Sequence, residues 1–121
     1  STVDGNHILV HYSTSSVANI QITFEFSNNT RDVRIYAYGF ARFPEEKLIH
    51  AQLACSLSNS QLRWGKFYID SDNDLMIEID AIITPSTVGE ICYELMRKIT
   101  DNIDLTYEAF MKLLWSDGSS S

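Results

Sequence analysis

The residues best equipped for chemistry are the carboxylates of FYIDSDNDLMIEID, residues 67 to 80: Asp70, Asp72, Asp74 and Asp80. Alternating aspartates can ligate a divalent cation, and paired carboxylates can share acid and base work in a small hydrolase. Asp70, Asp72 and Asp74 fall on the first, third and fifth positions of an EF-hand calcium loop. That loop needs glycine at its sixth position and a bidentate glutamate at its twelfth, where Leu75 and Ala81 stand instead. A catalytic carboxylate needs burial or a charged partner to move its pKa, and a solvated turn supplies neither. A metal-dependent or carboxylate hydrolase built on this cluster is kept as the alternative reading. The expectation is no catalytic residue, no metal and no cofactor.

The remaining reactive side chains are isolated. His7 and His11 lie four apart, which on a strand separates them by roughly 13 Å. His50 stands alone in a helical pattern. Cys55 and Cys92 fall in apolar helical patterns with no CxxC, and read as buried free thiols of a reducing compartment. There is no nucleophile elbow, phosphate-binding loop or dinucleotide fingerprint.

Strand pairing explains the acidic cluster better. With Ser71, Asp72 and Asn73 as a hairpin loop, Asp70 faces Asp74, Ile69 faces Leu75 and Phe67 faces Ile77. Lys66 then faces Glu78 and Tyr68 faces Met76 on the opposite side of the sheet. A two-residue loop would mix apolar and polar partners on both sides, and register follows the pairing that keeps one face apolar. Asn73 tolerates the positive φ that a three-residue loop demands.

The elements that carry these residues are regular. HILVHY (7–12), IQITFEF (20–26) and VRIYAYGF (33–40) read as strands, joined in the second gap by the turn SNNTRD. Pro44, Glu45 and Glu46 open a helix whose apolar stripe is Leu48, Ile49, Leu53 and Leu57, with Asn59 as its stop signal. Thr87 and Glu90 form a capping box for a second helix. Its stripe runs Val88, Cys92, Leu95, Ile99, Ile103, Tyr107, Phe110, Leu114, with Glu94–Lys98 and Glu108–Lys112 as i,i+4 pairs and Gly118 as its end. The order β-β-β-α-β-β-α implies an α+β fold: a five-stranded antiparallel sheet with two helices on one face. A single domain is expected over 1–115, with SDGSSS (116–121) as a disordered tail.

The bulk properties narrow the partners. A chain of 121 residues with 45% apolar content can close an ordinary core. The formal charge of −7 and the scattered lysines and arginines exclude a basic stripe for nucleic acid. No apolar run approaches the roughly 20 residues of a membrane span, and no N-terminal secretion signal is legible. With both helices on the apolar face, the other face carries Tyr36, Tyr38, Trp64, Tyr68 and Met76 among Arg34, Lys66, Glu78 and Asp80. Aromatic, methionine and arginine side chains are those that interface centres favour. The expectation is a protein partner, or a second copy of the chain, bound there.

SLSNSQLRWGKFYIDSDNDLMIEID, followed by a helix ending YEAFMKLLW, resembles the bacterial YbjN family of small domains. The resemblance covers roughly residues 55 to 115 and rests on Asn59, the RWGKFYID strand, the acidic hairpin tip and the final aromatic-rich helix. It implies the fold of type III secretion chaperones and a cytoplasmic, non-enzymatic regulator of sensory transduction. It carries over no catalytic residue. The N-terminal half is similar in element order alone, and the helix that family members carry ahead of the first strand is not legible here.

Overall fold

A computed structural model describes residues 2–4, 6–14, 16–29 and 31–115, with the backbone alone at 2–4, 113 and 114. The five expected strands form in the expected order: β2 (His7–Tyr12), β3 (Ile20–Phe26), β4 (Asp32–Tyr38), β5 (Lys66–Ile69) and β6 (Leu75–Ile82). A further strand, β1 (Thr2–Asp4), pairs with β2. Three residues are too few to show a period of two, so the sequence pattern passes over it. The sheet order is β1-β2-β3-β4-β6-β5, with every neighbouring pair antiparallel.

Alternation aligns the core. Ile22 faces Ala37, Ala37 faces Ile77, and Ile77 faces Phe67, so one apolar row crosses four strands, all of it buried. Strand β4 ends one residue before Gly39, whose φ of 87° is open to glycine and costly for other residues. The chain then runs beside the start of β6: Phe43 N–H donates to Asn73 O, and Leu75 N–H to Ala41 O. This places the Phe43 ring in the core.

Both helices lie on the apolar face. A 3₁₀ turn (Glu45–Lys47) leads into α1 (Leu48–Gln61), which packs chiefly on β5. The long helix α2 (Val88–Trp115) packs on β4 and β6 and sinks Leu95, Ile99, Ile103 and Phe110 into the core. The Phe110 ring sits 5.2 Å from that of Phe67 and 6.2 Å from that of Phe43.

Three helical expectations need correction. Of the expected stripe of α1, Leu48 packs against the core, but Ile49, Leu53 and Leu57 face solvent at 72%, 58% and 68% exposure, while Ala51 and Cys55 are buried. Past Leu48, the side of this helix facing β5 and the core presents small side chains, and Ile49, Leu53 and Leu57 are left outside. The Thr87 hydroxyl turns back to Thr84, 2.8 Å from its hydroxyl and accepting from its N–H at 3.1 Å. Among the described residues Glu94 and Lys98 form no ion pair; Lys98 Nζ lies 5.8 Å from the Trp64 ring centre, whereas Glu108 and Lys112 do pair, at 3.1 Å. In the stretch TDNID (100–104) of α2, Asn102 Nδ2 donates to Trp64 O at 2.8 Å. The expected tail at 116–121, with Gly118, lies outside the described residues.

Candidate protein-interaction surface

The acidic tip is a hairpin in the expected register: Lys66 faces Glu78, Phe67 faces Ile77, Tyr68 faces Met76 and Ile69 faces Leu75. Asn73 takes a φ of 66°. Two of the tip's carboxylates have partners. Asp70 Oδ1 accepts the N–H groups of Asp72 and Asp74 at 2.8 and 2.9 Å, and Arg42 spans both Asp74 oxygens at 3.1 and 3.2 Å. Ligand atoms of Asp70, Asp72 and Asp74 lie within 4.8 Å of one another, close enough for a cation in geometry, but two of these carboxylates already organise the turn. Asp80 is six residues further along β6, roughly 20 Å at strand rise, so the four do not converge.

Strand β5 is a sheet edge, and α1 covers it through one side chain. Asn59 Oδ1 accepts the Phe67 N–H at 2.7 Å, and its Nδ2 donates to Phe67 O at 2.8 Å. The carboxamide thus pairs with Phe67 as a neighbouring strand would. Near the end of α1 Asn59 is more than a stop signal, and its reach across eight residues leaves no mark in local patterns. Lys66 bends beside it, Nζ donating to the Asn59 and Leu62 carbonyls at 3.1 and 2.9 Å. These are carbonyls at the C-terminal end of the helix, where a cation is favoured.

With Lys66 drawn away, Glu78 finds a different cation. Arg34 Nη2 donates to Glu78 Oε1 at 2.6 Å, and the Tyr68 hydroxyl donates to the same oxygen at 3.2 Å. Arg34 also approaches Glu25 at 3.9 Å, and Glu25 meets His7 Nε2 at 2.8 Å. A polar chain therefore crosses the outer face from β2 to β5. Hydrogen bonding to Arg34 holds the Glu78 carboxyl below the usual carboxylate range. Burial, with Glu78 nearby, pushes the Tyr68 hydroxyl up. Burial also raises the Asp80 carboxyl, with Glu78 adding to the effect. His7, Glu25 and Arg34 oppose one another directly, whereas Arg34 and Glu78 sit diagonally, a contact that register alone does not reveal.

The aromatic residues lie around this chain. Tyr36 and Tyr38 are half-buried and stacked, their centres 6.2 Å apart, and the Arg34 guanidinium lies 4.4 Å from the Tyr36 centre. Met76 is buried on the same face beside its partner Tyr68. Trp64 departs from the expected alternation. It precedes β5, and Gly65 at a φ of 83° breaks the strand geometry between them. Its ring stands at the rim, lining a dip with Tyr68 and Glu78 on the outer face and a groove with Ile91 and Leu95 beside α2.

Of the other reactive residues, His11 and His50 are exposed, and His7 is held by Glu25. Cys55 is a buried free thiol, pushed up to about 11 by burial; Cys92, half-buried, is raised for the same reason. No helix among the described residues is long and apolar enough to cross a membrane.

Comparison with known proteins agrees with this architecture. The crystal structure of YbjN from E. coli, described as "a putative transcription regulator", superposes with a TM-score of 0.58 at 11% sequence identity, covering 84% of this chain and 83% of that one. At that identity the likeness establishes the fold. No curated protein sequence matches the chain. The family model of YbjN, described as "Putative bacterial sensory transduction regulator", matches residues 3–108 and so takes in the N-terminal strands as well as the hairpin and α2. The chain belongs to the YbjN family.

Proposed function

We propose that the chain is a non-enzymatic regulatory module of the bacterial cytoplasm that binds a protein partner through the outer face of its sheet. The observation that carries this reading is the stacked Tyr36–Tyr38 pair beside Arg34, Tyr68 and Met76, on the face that neither helix covers. Trp64 contributes from the rim. Burying several such rings yields a few kcal/mol gross at roughly 25 cal/mol per Å², before the entropic cost of association. Part of that gain is already taken, because Met76 is buried within the monomer. Family membership supports a regulator, and the reduced thiols Cys55 and Cys92 suit a cytoplasmic setting.

The partner examined first is a second copy. Light scattering on a size-exclusion column is expected to give a dimer that Tyr38→Glu with Tyr68→Glu converts to a folded monomer. A dimer that survives both changes places the interface elsewhere and refutes the reading. A wild type that stays monomeric at high micromolar concentration rules out self-association. The same pair of variants then separates capture of a different protein through this face from capture elsewhere.

A further inference from the structure

The ladder between β5 and β6 ends where Lys66 faces Glu78. Strand β6 continues over 79–82 and stays paired with β4 on its other side, as far as Asp32 against Ile82. Along 79–82 no described strand lies on the β5 side. Peptide groups of an antiparallel strand point alternately to its two sides. The Ile83 N–H donates to Arg31 O at 2.8 Å, on the β4 side. Alternation therefore sends the N–H and C=O groups of Asp80 and Ile82 to the open side. Strand β5 cannot supply them, because Gly65 turns the chain away and Asn102 holds the Trp64 carbonyl against α2.

The same edge borders a groove of about 330 Å³. Its floor is Ala81, Ile91 and Leu95, and the Trp64 ring forms one wall. Asp80, Glu90 and Glu94 line it as well, against the single cation Lys98. Lys98 and Arg63 both flank the Trp64 ring, each 5.8 Å from its centre. The side chain of Ile82, at the end of the open edge, is 81% exposed.

We infer that this edge docks an extended, basic segment of a partner protein, which adds a short strand to β6 along 79–82. Its backbone meets the peptide groups of Asp80 and Ile82, the mode of recognition by strand addition. One apolar side chain enters the groove over Ala81, Ile91 and Leu95. Lysine or arginine side chains meet Asp80, Glu90 and Glu94, away from the two cations at Trp64. Charge selects the partner: Asp80, Glu90 and Glu94 around the groove, on a chain of formal charge −7, repel acidic segments and attract basic ones. This site is separate from the aromatic face and does not rest on it.

The test titrates a short synthetic peptide alternating lysine and valine into the full chain, followed by amide chemical shifts and fluorescence anisotropy. Shifts are expected at Asp80, Ile82 and Trp64. N-methylating the peptide amides that face the edge should weaken binding at least about tenfold, since it deletes ladder hydrogen bonds. Glu90→Lys with Glu94→Lys should weaken it by a similar factor, and a glutamate–valine peptide should not bind. Ile82→Pro removes a donor that faces the open side and leaves the β4 ladder intact, so it should match the N-methylated peptide. If that variant does not fold, the N-methylated peptide gives the same deletion from the ligand side. Equal binding of the parent and N-methylated peptides would reduce the effect to charge attraction and overturn the proposal. So would shifts centred on another surface, or light scattering that shows a second copy of the chain on this edge.

Discussion

Replacing Asn59 tests whether a single side chain closes the β5 edge. Asn59→Ala removes two hydrogen bonds, of 2.7 and 2.8 Å, and leaves the Phe67 N–H and C=O with no protein partner. Each bond contributes about 1 kcal/mol net, and a stranded buried group costs about 1–3 kcal/mol. The site is part-buried, so water recovers some of the loss and the expected cost is about 2–3 kcal/mol. For a chain of this size that lowers Tm by roughly 10 °C. Asn59→Asp is the sharper variant. Its carboxylate still accepts the Phe67 N–H but sets a second anionic oxygen against the Phe67 carbonyl. Its folded pKa is thereby raised above the unfolded value, so the neutral form favours folding. The variant should be least stable at neutral pH and should recover as pH falls through that raised pKa, when the protonated carboxyl can donate to Phe67 O. Urea unfolding followed by circular dichroism at neutral and acid pH measures both variants. A cost under about 0.5 kcal/mol for Asn59→Ala, or an Asn59→Asp variant as stable as wild type at neutral pH, would refute the clamp.

Arg34→Gln should cost about 1 kcal/mol at neutral pH, the scale of a half-exposed ion pair. Because Arg34 lowers the Glu78 pKa, that difference is present above the ordinary glutamate range and should vanish as pH falls through the lowered value; a difference constant in acid would count against it. Ile49→Gln and Leu53→Gln, on the exposed side of α1, should each change stability by less than about 0.5 kcal/mol, whereas Ala51→Leu should cost about 1–3 kcal/mol by overpacking. Iodoacetamide at mildly alkaline pH, read by mass spectrometry, should alkylate Cys92 well before Cys55, and both at similar rates once the chain is unfolded.

Where one residue faces one neighbour, the sequence was legible. The hairpin register from Lys66 to Glu78 follows from parity, because a slip of one residue would move Phe67 and Ile77 out of the core. Beyond Leu48, the α1 stripe was not legible. Apolar residues lie on both sides of this helix, and the side that packs is selected by fit beside β5, which favours Ala51 and Cys55. The candidate site divides in the same way. Tyr36, Tyr38, Tyr68 and Met76 fall on one face by alternation, whereas Trp64 escapes it through Gly65. The Arg34–Glu78 contact is diagonal, and it depends on Lys66 being engaged at the end of α1, a tertiary fact with no local signature.

The polar chain from His7 through Glu25, Arg34 and Glu78 to Tyr68 places one member on each of the strands β2, β3, β4, β6 and β5. It works as a set of registry pins. If β4 slid by one residue against its neighbours, Arg34 would turn into the core and Ile35 would turn out to water. A buried guanidinium without a carboxylate is among the costliest errors a sheet can make. Similar slips of β3 or β6 would bury Glu25 or Glu78. In the native sheet these half-exposed pairs add little net stability, yet a slip of β3, β4 or β6 by an odd number of residues would strand a charge in the interior. The face that recognises nothing in the free monomer still tells these three strands which side to turn inward.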